Sequence, residues 1–485
     1  MKFSASSVAV LALSLTFAPL AAAESNKPNF VIIFTDDQGY QDLGCYGSPD
    51  IDTPNLDRMA AEGTRFTSFY AQTICGPSRT ALMTASYPLR VAQDKNRCEI
   101  HPVVHSDEIT LAEVLKPRGY KSAAFGKWDL ATHSQANWID ELLPRGQGFD
   151  YFYGTPTSND QVVHLLRNEE VIERKADMAT VTRRYTDEAL QFIEKNKDAP
   201  FFVYLAHTMP HTRLAASEDF KGKSKGGLYG DVIEEIDHNA GRILDKIKEL
   251  GLDDNTYVIF TSDNGPWLIR KDHGGHALPL RSGKTTCWEG GLRVPCIVRA
   301  PGRVPAGATN DLVTATIDLM PTIATLAGAE MPDDRTLDGL DISKVWHGKQ
   351  SELDRPYFYY QHFYLRAVRS GDWKVMLKHE EGPKSATSNW KNHVAPKDSK
   401  PLTAHQLYNL KEDIGETTNL ADKHPEKLAE LLELAQWART DIGDFDRIGT
   451  NARFFDDEPD RIENPAPIQK PKRKGKAKAK PPKPE

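Results

Sequence analysis

Four short runs along the chain are nearly continuous in apolar or small side chains: Asn29–Thr35 (N-F-V-I-I-F-T), the weaker Lys121–Phe125, Phe201–Ala206 (F-F-V-Y-L-A) and Tyr257–Thr261 (Y-V-I-F-T). A half-exposed strand alternates polar and apolar positions. Continuous β-branched and aromatic runs instead predict strands covered on both faces, as in a parallel sheet. Helical patterns lie between them. Leu56–Glu62 follows Pro54, Leu111–Lys116 stops before Pro117, and Ile233–Leu250 stops at Gly251. This alternation predicts a doubly wound α/β fold with a large, mostly parallel sheet. After residue 350 the texture changes. Arg355–Tyr364 is aromatic-rich, Ala367–Lys378 alternates around Gly371-Asp372 as a hairpin does, and Pro425–Trp437 reads as a long amphipathic helix. A smaller α+β domain is expected there, over 351–463, after an α/β domain over 24–350. Residues 464–485 are rich in Pro, Lys and Ala and are expected to form a disordered tail.

Each predicted strand runs at once into polar residues. The first meets Asp36-Asp37, the second Gly126-Lys127-Trp128-Asp129, the third His207 and the fourth Asp263-Asn264. Ligands of open α/β sheets bind beyond the carboxyl ends of the strands, so these residues predict one site along one sheet edge. The competing reading is four ordinary loop starts, where Asp and Asn are common.

The N-terminus bears on compartment. Lys2 precedes an apolar run from Val8 to Leu20 and then Ala21-Ala22-Ala23, the layout of a cleaved export signal over 1–23. The run is short for a membrane span, and no later segment has eighteen uninterrupted apolar residues. The mature protein is expected to be exported, periplasmic or extracellular, without a transmembrane segment. Composition (39% hydrophobic, 27% charged) excludes a disordered, collagen-like or coiled-coil chain of this length. Net charge is −7, but residues 470–485 carry +7, which leaves −14 on the remainder. An acidic body argues against a nucleic-acid partner and requires any anion site to be local. Five cysteines form no C-x-x-C pair, so a zinc ribbon or thioredoxin-type site has no support, and the odd count leaves one thiol over.

Residues 75–85 read C-G-P-S-R-T-A-L-M-T-A. Pro77 suits a first helical turn, and Thr80–Thr84 continues the helix. Cys75 then lies at a helix N-terminus, where free N–H groups and the dipole favour negative charge, and Arg79 reaches back from one turn along. The pattern points to an anion-handling nucleophile; the plainer alternative is a buried cysteine beside a capped helix.

This stretch closely resembles the signature of the cysteine-type sulfatases, arylsulfatase-like members of the alkaline phosphatase superfamily. In that family a dedicated maturation enzyme converts the cysteine to formylglycine. The resemblance continues through N-F-V-I-I-F-T-D-D at 29–37, T-P-N-L-D-R-M-A-A-E-G at 53–63, G-K-W at 126–128 and Q-G-F-D-Y-F-Y-G at 147–154. It extends to T-S-D-N-G at 261–265, P-L-R-S-G-K-T-T-C-W-E-G-G-L-R-V-P at 279–295 and L-Y-N-L-K-E-D at 407–413.

The resemblance implies roles. Asp36, Asp37, Asp263 and Asn264 match the family's metal ligands, with the modified Cys75 completing the shell. Such oxygen donors suit calcium, with magnesium second and zinc disfavoured. A thiolate transfers sulfuryl poorly, whereas a hydrated aldehyde offers one hydroxyl to attack sulfur and another whose deprotonation expels sulfate. Arg79 and Lys127 match positions near the nucleophile. Lys284 and His207 match groups near the bridging or leaving oxygen, with His207 the general acid. Ser158 matches a sulfate contact, and His211 faces the leaving group. Cys287 with Cys296, or Cys45 with Cys98, are possible disulfides that sequence does not fix. His273 and His276 are expected in a loop role, and the aromatic cluster at 357–364 in the core.

One position departs from the family. G-K-W is usually followed by a histidine credited with abstracting the proton that triggers elimination; here Asp129 fills the slot. Three readings stay open: Asp129 is the base, His133 takes the role, or turnover is slow. The expected function is an exported calcium-dependent sulfatase acting on an O-sulfate ester, with a sulfated carbohydrate as substrate. Its rivals are a phosphate or phosphonate monoesterase on the same scaffold, and a catalytically weak sulfated-glycan-binding protein.

Overall fold

A computed structural model describes residues 27–91, 104–131, 138, 140–159, 162–379 and 401–453. The expected export signal, the basic tail, Cys98 and His133 lie outside the described residues. In chain order the main strands are β1 (Asn29–Thr35), β2 (Thr64–Tyr70), β3 (Lys121–Lys127), β4 (Tyr151–Thr155), β5 (Leu165–Arg167), β6 (Glu170–Glu173), β7 (Phe201–Ala206), β8 (Thr256–Ser262), β9 (Arg293–Arg299), β10 (Ala308–Asn310) and β11 (Thr314–Ala315). They form one sheet in the order β10-β2-β9-β8-β1-β7-β3-β4-β5-β6, with β11 beside β2. The centre, β8-β1-β7-β3-β4, is parallel throughout, and β9 runs against it.

The four predicted strands are therefore neighbours in that parallel block. β1 shows why their runs are continuous. Phe30, Ile32 and Phe34 enter one hydrophobic cluster, while Val31 and Ile33 enter another on the opposite face. Both faces are dry, so every position is apolar. The predicted helices form as Pro54–Ala61, Leu111–Leu115 and Gly227–Glu249. An 18-residue helix, Met178–Lys195, packs beside Gly227–Glu249; the sequence reading did not name it.

The later residues form an antiparallel sheet of β12 (Pro356–Gln361), β13 (Tyr364–Ser370), β14 (Trp373–Met376) and β15 (Gln406–Asn409), covered by the helix Pro425–Asp441. The hairpin turns at Gly371, whose φ of 56° suits glycine. Tyr357–Tyr360 are core residues, sharing a cluster with Tyr70, Tyr87 and Trp288 of the preceding part of the chain. The architecture is thus a mostly parallel α/β sheet of the expected class with a small α+β unit attached. Among the described residues no helix is long and apolar enough to cross a membrane.

Candidate active site

In the parallel block, β1 and β8 pair in register up to Thr35 and Ser262, so the next residues emerge side by side. Asp263 N donates to Thr35 O at 3.1 Å, and His207 N donates to Phe34 O at 2.8 Å. The sheet ladder therefore extends one residue beyond the strands and fixes where Asp36, His207 and Asp263 leave it. At Gly126 a Cβ would lie 1.9 Å from Ala206 O. Only glycine lets β3 approach β7 there, which sets the position of Lys127.

The helix that begins at Cys75 runs Cys75–Thr84 and is buried along its length. Its N-cap residue, Ile74, supplies no side-chain acceptor, so the first-turn N–H groups keep their positive field. Ser78 ties this turn to the sheet edge: its Oγ accepts from Gln72 N at 2.7 Å and donates to Asp263 O. Sequence reasoning did not single out Ser78.

Around Cys75 the charges interlock. Lys127 Nζ donates to Asp36 Oδ2 at 2.7 Å and lies 3.4 Å from Asp129 Oδ2. Arg79 Nη2 donates to Asp263 Oδ2 at 2.9 Å, and Arg79 Nη1 to Lys127 O at 2.9 Å. Lys284 Nζ donates to Asp37 Oδ1 at 2.5 Å and lies 3.5 Å from Cys75 Sγ. All these side chains are at least nine-tenths buried. Burial alone would raise Asp36, but Lys127, His211, Arg79 and Lys284 together hold it below the usual carboxylate range. Burial, then Asp36, push Asp263 up to about 8. Burial, then Asp36, also push the Cys75 thiol well above its ordinary value, so the unmodified side chain is a poor thiolate source.

Ligand atoms of Asp36, Asp37, Cys75 and His211 all lie within 4.8 Å of one another. Asp36 Oδ1, Asp37 Oδ2 and Asn264 Oδ1 are buried without a hydrogen-bond partner among the described residues. Buried oxygens of this kind are costly unless something electropositive meets them. With Asp36, Asp37, Asp129 and Asp263 all ionised against Arg79, Lys127 and Lys284, a divalent cation would leave room for one more anion. The oxygen-rich donor set fits a hard cation. Asp263 differs from Asp36 and Asp37: both its oxygens already accept, from Asp37 N and from Arg79.

His207 is fully buried, neither ring nitrogen has a hydrogen-bond partner among the described residues, and burial pushes the ring down to about 3. His211 lies deeper in the charge cluster than expected, with Nε2 3.5 Å from Asp37 Oδ2 and its ring 5.2 Å from Trp267. Ser158 is buried just after Pro156, whose carbonyl accepts from Asp129 N at 3.1 Å. Its neighbour Asn159 donates to His211 O at 2.8 Å. Trp267 and Asn159 belong to loops with no recognisable pattern, and sequence reasoning missed both. His276 turns away to Asp42, at 3.0 Å. Cys287 and Cys296 are free thiols, which corrects the suggested bridge: Cys296 is embedded in β9 and Cys287 packs with the C-terminal sheet. Cys45 is also free.

A family model described as Sulfatase matches residues 28–329, and one described as N-sulphoglucosamine sulphohydrolase, C-terminal, matches 282–436. The chain is 40% identical to an N-acetylgalactosamine-6-sulfatase of Canis lupus familiaris, over 75% of this chain and 74% of that protein. It is 36% identical to arylsulfatase A of Bos taurus, over 88% and 89%. Among solved structures, the PsFucS1 sulfatase from Pseudoalteromonas sp. superposes with a TM-score of 0.73 at 26% identity, covering 86% of this chain and 91% of that one. Sequence, fold and the charge arrangement at the sheet edge agree: the chain belongs to the sulfatase family and is a sulfuric ester hydrolase acting on sulfated substrates.

Proposed function

We propose that this chain hydrolyses an O-sulfate ester of a carbohydrate, using a formylglycine made from Cys75 by a maturation enzyme and a bound calcium ion, after export from the cytoplasm. The observation that carries the reading is the setting of Cys75. It starts a buried helix, its Sγ lies 3.5 Å from Lys284 Nζ, and it converges with the carboxylates of Asp36 and Asp37. Asp36, Asp37, Asp263 and Asn264 would hold the cation, whose chemistry is to polarise the sulfate oxygens and lower the pKa of the attacking hydroxyl. Arg79, Lys127 and Lys284 neutralise charge around the sulfate. His207 donates the proton to the departing alcohol; a sulfate anion alongside favours the protonated ring that burial otherwise disfavours. Asp129 takes the proton that starts release of sulfate, and Ser158 and His211 contact the bound ester.

The carbohydrate assignment is supported by the N-acetylgalactosamine-6-sulfatase relative. We divide the chain into an export signal over 1–23, a catalytic domain over 24–350, a smaller domain over 351–463 and a basic tail over 464–485. The test is an assay of the chain co-produced with a formylglycine-generating enzyme, on paired aryl sulfate and aryl phosphate. Preference for the sulfate is expected; preference for the phosphate contradicts the proposal.

A further inference from the structure

Trp267 connects the reaction centre to the surface. Lys284 Nζ lies 4.8 Å from its ring centroid, and the guanidinium of Arg270 lies 4.0 Å from the same centroid. The ring itself is 7% exposed, whereas Arg270 and Lys271 are exposed. Among the described residues no ion pair or hydrogen bond engages the Arg270 guanidinium. An exposed arginine ordinarily samples many rotamers. Stacking on indole fixes its plane and leaves its N–H edge available for a bidentate anion.

The surrounding turn has other marks of a functional surface. Lys271 adopts φ 53° and ψ −120°, a conformation that non-glycine residues seldom hold. Leu268 and Leu278, at 38% and 65% exposure, are large apolar side chains left in water on the same loop. Arg270 and Lys271, offset in part by the exposed Asp272, leave a local positive charge on a body of charge −14.

We propose that the turn Trp267–Lys271 selects the substrate: Arg270, held flat on Trp267, binds a second anionic group on the saccharide that carries the scissile sulfate. The preferred substrate class is then a saccharide with at least two anionic groups, the second being a sulfate ester or a carboxylate. This rests on the sulfatase reading above.

The test uses calorimetry with three probes: N-acetylgalactosamine 6-sulfate, its 4,6-disulfate, and the 6-sulfate linked to a uronic acid. Wild type, Arg270→Gln and Arg270→Lys are compared. Wild type is expected to bind at least one two-anion probe about tenfold tighter than the single-sulfate probe. Arg270→Gln removes that advantage, and Arg270→Lys keeps only part of it, because an ammonium lacks the fork. The disulfate and uronate arms show which anion is recognised. Equal wild-type affinity for all three probes, or an advantage that survives Arg270→Gln, overturns the proposal. Sulfate release from an aryl sulfate by wild type reads the sulfatase assignment separately, so a failure of either is visible.

Discussion

Lys127 Nζ stands 3.4 Å from Asp129 Oδ2 while donating to Asp36 at 2.7 Å. An extra carboxylate beside a sulfate site would repel the substrate, and this lysine supplies the offset. Asp129 stands where the resembling sequences usually have a histidine. As the base proposed for the release step, Asp129 should contribute roughly 100-fold or more in rate. Asp129→Asn is expected to lower steady-state turnover by about that factor while keeping the initial burst of alcohol release. Asp129→His is expected to retain turnover. Stopped-flow kinetics decide; unchanged turnover and burst in Asp129→Asn remove Asp129 from the mechanism.

Among the described residues neither ring nitrogen of His207 has a hydrogen-bond partner, which suits the proposed role of protonating the departing alcohol once a sulfate anion favours the charged ring. A general acid matters most when the departing alcohol is a poor leaving group. His207→Ala should cost about 100-fold or more on an alkyl or sugar sulfate and far less on a nitrophenyl sulfate. Equal losses on both substrates would assign His207 a purely structural part.

Among the described residues one oxygen each of Asp36, Asp37 and Asn264 has no hydrogen-bond partner, which predicts a stability that depends on metal. Calcium at 100 times its dissociation constant should stabilise the fold by about 2.7 kcal/mol. Chelation followed by thermal unfolding checks this. The midpoint should fall on chelation and recover with calcium, less with magnesium. No change on chelation would argue against a bound cation.

Much of this site is legible in the sequence because a parallel strand buried on both faces is an unbroken apolar run. Where Asn29–Thr35, Phe201–Ala206 and Thr256–Ser262 end, the site begins. Asp36, His207 and Asp263 are thus located by the strands before them. His211, Asn159, Trp267 and Ser78 were under-read for the opposite reason. Their positions depend on loops folding back, such as Asn159 bonding to His211 O or Ser78 bridging Gln72 and Asp263. The helix Met178–Lys195 was passed over, although its N-cap Asp177 and buried Val181, Tyr185, Ala189 and Ile193 follow helical spacing. Cysteine pairing was unreadable because it depends on tertiary distance alone.

Asp237 gives the fold a pH dependence away from the site. Its carboxylate accepts from Leu56 N at 2.7 Å and from Asn55, joining the helices Gly227–Glu249 and Pro54–Ala61. Burial outweighs those hydrogen bonds and raises it from 3.8 to about 6. A raised folded-state pKa means that the folded chain holds the proton more tightly. The associated stability is present below pH 3.8 and is lost as pH rises through about 6, at most about 3 kcal/mol. Asp237→Asn does not titrate, so its unfolding midpoint relative to wild type should rise between pH 4 and pH 7. A constant difference across that range contradicts the assignment.

The central claim is that Cys75 is consumed to make the nucleophile. Mass spectrometry of the Cys75 peptide, run alongside sulfate release on the same preparation, tests it most directly. Activity should scale with the fraction of peptide carrying an aldehyde at position 75, and Cys75→Ala should abolish both signals. Full sulfate release from a preparation whose peptide retains an intact thiol would contradict the account.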